Sequence, residues 1–225
     1  MANGSQRSGA SIKQEREAQR AEKVEAFKKQ RAKEKRNRRI ALIGGILGGV
    51  AVITLLVIVI VSSFKPPVDP DSITVEGLEK FPGLTANHVD TPVDYEELYG
   101  MTPPAGGDHS GVWLNCGVYD QPVPSERAVH ALEHGAVWVT YNPDEVTGGE
   151  LDSLRNKLPS TYIVLSPFPG LDSPVVASAW GNQVALDGAD DERLGQFIDK
   201  FWKAGDAPEI GAPCDGQPEA PGLVG

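Results

Sequence analysis

The chain has 225 residues, with 21 Lys+Arg against 31 Asp+Glu, 4 His and 2 Cys, and its formal net charge of −10 hides a division. Residues 1–39 carry 13 basic and 5 acidic side chains, whereas residues 65–225 carry 8 basic and 26 acidic. Between them Ile40 to Val61 runs 22 residues with no charge and only Thr54 polar; as a helix it measures roughly 33 Å, enough to cross a bilayer, which excludes a freely soluble protein.

The first segment, residues 1–39, is a basic tail. From Lys13 to Arg39 it mixes Glu, Lys, Arg, Gln and Ala at helical spacings but has no apolar stripe, so it reads as a solvated helical tail that touches anionic lipid. It lacks the aromatic or groove-reading elements that nucleic-acid binding needs. Arg31, Lys33, Lys35, Arg36, Arg38 and Arg39 precede the apolar run and only Lys65 follows it, which places the N-terminus in the cytoplasm and the rest outside. A charged leader this long and an apolar run this long exceed a removable signal peptide. The transmembrane segment is taken as residues 40–64. Within it Gly44/Gly48 and Gly45/Gly49 repeat at the spacing of a close-packed helix dimer, so a homodimer through these glycines is one possible partnership beside the bilayer and a membrane protein partner.

Residues 65–92 contain Pro66, Pro67, Pro70 and Pro82 and read as an extended stalk. The remaining residues suffice for one domain, 93–205, followed by a Pro/Gly-rich tail, 206–225. Within the domain Ser125 suits the cap of a helix over Glu126–His134, ended by Gly135. Ala136–Tyr141 is a strand, Gly149–Leu158 a short helix and Thr161–Ser166 a strand. Val175–Trp180 and Gln183–Leu186 flank a tight hairpin at Gly181–Asn182. Asp190–Lys203 is a final helix with Leu194, Phe197, Ile198 and Phe201 on one face. This order, α, β, α, β, β, β, α, indicates an α+β domain: a small mixed sheet with short helices.

Cys116 and Cys214 are the only cysteines and both fall outside the expected cytoplasmic part, so a disulfide between them is the default. It would close a loop of about 100 residues and contribute about 4 kcal/mol by chain entropy. The alternative leaves Cys116 as a thiolate metal ligand. All four histidines lie between His88 and His134. His130 and His134 stand four apart on the expected helix and share a face, a spacing that chelates a metal ion. His109, in the loop PPAGGDH, and His88 are able to fold over that helix, and Met101 in the same stretch would favour copper over zinc through its thioether. Against this, His134 could cap helix carbonyls and His130 could be a hydrogen-bonded core residue.

His130-Ala131-Leu132-Glu133-His134 also fits H-x-x-E-H, the inverted zinc-protease pattern with Glu133 as general base. That chemistry needs a longer helix than Gly135 allows, and an enzymatic activity is not the leading expectation. No Ser/His/Asp array, P-loop or dinucleotide fingerprint appears, and Gly106-Gly107 is too short to cradle a phosphate.

Asn87-His88-Val89, the run Tyr99-Gly100-Met101-Thr102-Pro103-Pro104-Ala105-Gly106-Gly107-Asp108-His109, Gly117-Val118-Tyr119, Val129 to Gly135 and Ser178-Ala179-Trp180-Gly181 together resemble the DUF3105 family over about residues 75–203. The resemblance implies an extracytoplasmic domain of a bacterial protein, often behind one N-terminal membrane helix, and supplies no reaction. Where the family commonly has a PPTSGPH-like loop, this chain has PPAGGDH, keeping the histidine and changing its neighbours.

The expected function is therefore a membrane-anchored metal-binding, delivery or sequestration protein. Its metal ligands would be His130, His134 and His109, with His88 and Met101 as outer members, for copper or else zinc. The rival is an interaction domain without metal, in which Trp113, Tyr119 and Trp138 lie in the core or meet a partner.

Overall fold

In the computed structural model, which describes residues 9–63 and 69–224, the chain divides into two units, Met1–Pro66 and Pro67–Gly225. The described residues of the first form one continuous helix, α1 (Gly9–Ser63). Its basic half has good helix formers and i,i+4 pairs such as Glu25–Lys29 at 3.6 Å, and no proline interrupts the passage into the apolar half. The stretch Gln14–Val59 contains a window of mean hydropathy 2.8, none of it buried, and is long and apolar enough to cross a membrane. Its polar Thr54 returns its hydroxyl to the Val50 carbonyl at 2.9 Å. A Cβ added at Gly44, Gly45, Gly48 or Gly49 would meet nothing within 4 Å.

The second unit is built on a six-stranded sheet. In chain order its elements are a 3-10 turn (Pro70–Ser72), β1 (Glu79–Lys80), α2 (Tyr95–Tyr99), β2 (Gly117–Val118), α3 (Ser125–Glu133), β3 (Val137–Tyr141), α4 (Gly148–Lys157), β4 (Ile163–Pro167), β5 (Val175–Ala179), β6 (Asn182–Leu186) and α5 (Glu192–Phe201). The sheet order is β1-β6-β5-β3-β4-β2. β3 and β4 run parallel, joined through α4, and β2 extends that parallel half; the other pairs are antiparallel. The α+β class agrees with expectation, as does the element order from α3 to α5, whereas β1, α2 and β2 were not expected.

Alternation along the central strands sorts the core into two faces. Val137, Val139, Tyr141, Ile163 and Leu165 pack with Leu154 of α4 and with Leu194, Phe197, Ile198 and Phe201 of α5. Trp138 and Val164 point the other way, against Ala128, Val129, Ala131 and Leu132 of α3. Because both faces are covered, β3, β4 and β5 are buried at every position.

Four local expectations are corrected. Ser125 is the first residue of α3 rather than its cap; the cap position is Pro124, whose carbonyl accepts from Arg127 and Ala128 and which has no hydroxyl to offer. The β5–β6 turn is Trp180-Gly181, one residue earlier than expected, with Gly181 at φ +69° and Asn182 already paired with Ala179. Residues 69–92 are not an extended stalk. β1 pairs with β6, Val75 is buried, and Lys200 Nζ donates to the carbonyls of Pro70 and Ile73 at 2.9 Å, fixing this segment to α5. Lys65, Pro66 and Pro67 lie outside the described residues. The C-terminal segment is likewise built in: Ala220 is buried and Leu223 bridges Tyr119.

Candidate metal centre

α3 is short because its end is specified. Gly135 at φ +92° lets its N–H reach the Leu132 carbonyl at 2.9 Å and the Ala136 N–H reach Ala131 at 3.0 Å, a Schellman motif that satisfies the last carbonyls. The helix therefore stops with His130, Glu133 and His134 on its final turn, all three side chains buried.

The loop carrying His109 reaches this turn by virtue of its glycines. At Gly106 (φ +143°) a Cβ would meet Leu84 Cδ1 at 2.6 Å, and at Gly107 (φ +106°) the Tyr99 ring at 2.7 Å. Backbone pairing then sets His88 beside His109: His109 N–H donates to the Asn87 carbonyl at 3.0 Å and Val89 N–H to the His109 carbonyl at 2.7 Å. Asp108 strengthens that join by accepting from Asn87 Nδ2 at 2.9 Å. The Thr85 hydroxyl and the Asn87 donors hold its carboxyl below the ordinary aspartate range.

The outcome is a cluster in which one ligand atom each from His88, His109, His130 and Glu133 lies within 4.8 Å of all the others. Glu133 Oε2 is 2.9 Å from His109 Nε2, 3.7 Å from His88 Nε2 and 3.9 Å from His130 Nε2. These distances bracket the roughly 3.3 Å between ligands on a tetrahedral ion with bonds of about 2.0–2.1 Å. Glu133 is only 4% exposed, while His88 is 51% exposed and forms the solvent side.

The far nitrogens show which atoms are free to bind. His109 Nδ1 is 2.8 Å from the Gly107 carbonyl, His130 Nδ1 is 2.6 Å from Ser110 and His134 Nδ1 is 2.6 Å from Pro213. A carbonyl only accepts, so each Nδ1 carries a proton and each neutral ring keeps its lone pair on Nε2, the arrangement typical of metal-ligating histidines. Burial, helped by the neighbouring His134, His109 and His88, pushes His130 down to about 4 against the opposing bond from Ser110, so this ring is neutral at ordinary pH.

One detail separates this cluster from an ordinary ion pair. His109 Nε2 and Glu133 Oε2, though 2.9 Å apart, are not aligned as a hydrogen bond, and both are buried without a hydrogen-bond partner among the described residues. An imidazolium would donate directly to the carboxylate. Two electron pairs brought this close but out of line suit a cation between them, and each buried orphan otherwise costs about 1–3 kcal/mol. The donor set therefore fits a metal ion.

A second group consists of His130, His134 and Glu209. His134 Nε2 is 3.5 Å from Glu209 Oε2, on a side chain 54% exposed. Glu209 N–H donates to the Glu133 carbonyl and Gly211 N–H to that of His134, both at 3.0 Å, so the tail wraps the end of α3. The Cys116–Cys214 disulfide, with Cα atoms 5.4 Å apart, fastens this wrap and leaves no free cysteine to act as a ligand. Trp113 stands 5.7 Å from the His130 ring and 5.2 Å from the His134 ring.

Of the residues singled out from sequence, His88, His109 and His130 come together and His134 joins His130 in the second group. The Met101 sulfur is engaged elsewhere. Met101 is buried, its sulfur accepts the Ala105 N–H at 3.4 Å, and it lines a cleft with Tyr95 and Phe168. Tyr119 and Trp138 are core residues, donating to the Asn115 carbonyl at 2.6 Å and to Ser166 Oγ at 3.0 Å, which removes them from any partner surface. Glu133, expected only as a general base, stands among the ligands. Its position three residues after His130 was the available signal. Nothing in the sequence around Glu209 pointed to the site.

Neither a curated protein nor a solved structure matches the chain. The family described as "Protein of unknown function (DUF3105)" matches residues 88–216, a span that begins at the first histidine of the cluster and contains all of its members, and the chain belongs to that family.

Proposed function

We propose that this protein is a membrane-anchored metal-binding module whose histidine domain lies outside the cytoplasm and there binds, delivers or sequesters a divalent transition metal. The single observation that carries this reading is the pair His109 Nε2 and Glu133 Oε2, buried 2.9 Å apart without a hydrogen bond, with two further imidazoles around them. Three nitrogens and one carboxylate oxygen suit a first-row divalent ion, with Cu²⁺ bound most tightly and Zn²⁺ accessible. With the Met101 sulfur engaged by Ala105, the case for a soft monovalent copper ion is weakened. The basic residues before the apolar part of α1 support a cytoplasmic N-terminus, and the disulfide suits an oxidising compartment.

The test is metal analysis of the purified full-length chain after loading with Cu²⁺ or Zn²⁺ and dialysis. One ion per chain, lost in His109→Ala and in Glu133→Gln, is the expected result. A native chain that retains no ion, or a double variant H109A/E133Q that still retains one, overturns the reading.

A further inference from the structure

The two histidine groups share a residue. His130 belongs both to the inner group with His88, His109 and Glu133 and to the outer group with His134 and Glu209. Its Nδ1 is held by the Ser110 carbonyl, so a single nitrogen, Nε2, must serve whichever group holds an ion. A neutral imidazole has one lone pair, which cannot bind two ions at once. The rings of His130 and His134 are edge to face with centroids 4.6 Å apart, so the two groups adjoin at His130.

They differ in character. The inner group offers four ligand atoms and encloses a carboxylate that is 4% exposed. The outer group offers three, one of them the half-exposed Glu209, and leaves a position for water or for a ligand on a partner. The outer group is also a constructed feature: His134 is buried, its tautomer is fixed by Pro213, and the segment bearing Glu209 is hydrogen-bonded to the last carbonyls of α3.

Resting on the metal-binding reading above, we infer that His134 and Glu209 form a transfer address, through which an ion passes to and from the inner group by way of His130, with only one ion held per chain. An ion leaving the inner group exchanges His88, His109 and Glu133 for His134 and Glu209 while His130 stays bound, so it never has to shed all its protein ligands together. A transfer address lowers the barrier in both directions and leaves the affinity of the inner group unchanged.

The experiment uses the full chain in detergent micelles with Zn²⁺ as probe, and follows uptake and release to a fluorescent chelator by stopped flow. The native chain is expected to take one Zn²⁺. In Glu209→Gln and in His134→Ala, uptake and release should both slow tenfold or more, by the same factor, with Kd kept within about threefold. Glu209→Gln alters a half-exposed side chain and so keeps the test sound if His134→Ala folds poorly. Native exchange rates in Glu209→Gln, meaning that the ion leaves directly past exposed His88, overturn the inference while the metal-binding reading stands. Two Zn²⁺ per native chain, both lost on mutation of their own group, also overturn it. A native chain that takes up no Zn²⁺ defeats both.

Discussion

The two faces of the central sheet solve different problems. On one, α4 and α5 close an apolar layer around Leu154, Leu194, Phe197 and Phe201. On the other, α3 brings Ala128, Ala131 and Leu132 against Trp138 but ends in His130, Glu133 and His134, and is held in place by a disulfide and a chain of backbone hydrogen bonds. Apolar burial needs no partner from solution, whereas a buried carboxylate facing an unaligned imidazole does. The first face should therefore respond to mutation identically with and without metal, and the second should not.

The largest effect is expected where the second face is tied together. Cys116→Ser/Cys214→Ser, or full reduction, opens a loop of 98 residues and should cost about 4–5 kcal/mol in denaturant unfolding. It should also weaken metal retention, because Pro213 and Glu209 are then released from α3. Phe197→Ala, on the first face, removes a fully buried ring and should cost about 3–5 kcal/mol. Added Cu²⁺ or Zn²⁺ should leave that loss unchanged; a loss that depends on metal would break the division between the faces.

Glu133→Gln sharpens it further, because its sign should reverse with conditions. Without metal the variant removes a buried, unaligned charge and should be as stable as the native chain or up to about 1–3 kcal/mol more so. With metal it should lack the stabilisation that the ion gives the native chain. Equal losses in both conditions would assign Glu133 a purely structural role.

The smallest and most gradual effect is that of pH. His130 is depressed from about 6.5 in the unfolded chain to about 4 in the fold. Between those values the unfolded state binds more protons, so metal-free stability should fall as pH drops from 6.5 towards 4, and His130→Gln should flatten that slope. A metal-free stability that stays level between pH 6.5 and 4 in the native chain would contradict this assignment.

Where a segment had its own periodicity it was legible. Leu194, Phe197, Ile198 and Phe201 announce α5, and β3 to β6 lie within a residue or two of their β-branched runs. β1 and β2 escaped because two-residue strands have no period; Glu79 and Gly117 are strand residues only through pairing with Gln183 and Val164. The prolines of residues 69–92 suggested extension, but the carbonyls of Pro70 and Ile73 find Lys200 some 130 residues away, information that no local window contains. The site divides in the same manner. His130 and His134 were legible from a spacing of four, whereas the grouping of His88 with His109 depends on a backbone bridge, and Glu209 reaches His134 on a tail segment held by backbone bonds to the end of α3 and by the Cys116–Cys214 disulfide. Met101, grouped with the histidines by sequence proximity alone, turns its sulfur to Ala105.

The central claim is that an ion belongs between His109 and Glu133. Anomalous diffraction from crystals of the Zn²⁺-loaded protein, recorded across the zinc edge, tests it directly. A peak about 2.0–2.2 Å from His109 Nε2, His130 Nε2 and Glu133 Oε2 is the predicted result. Crystals of zinc-loaded protein with no peak there, and with His109 Nε2 instead donating a straight hydrogen bond to Glu133, would contradict it.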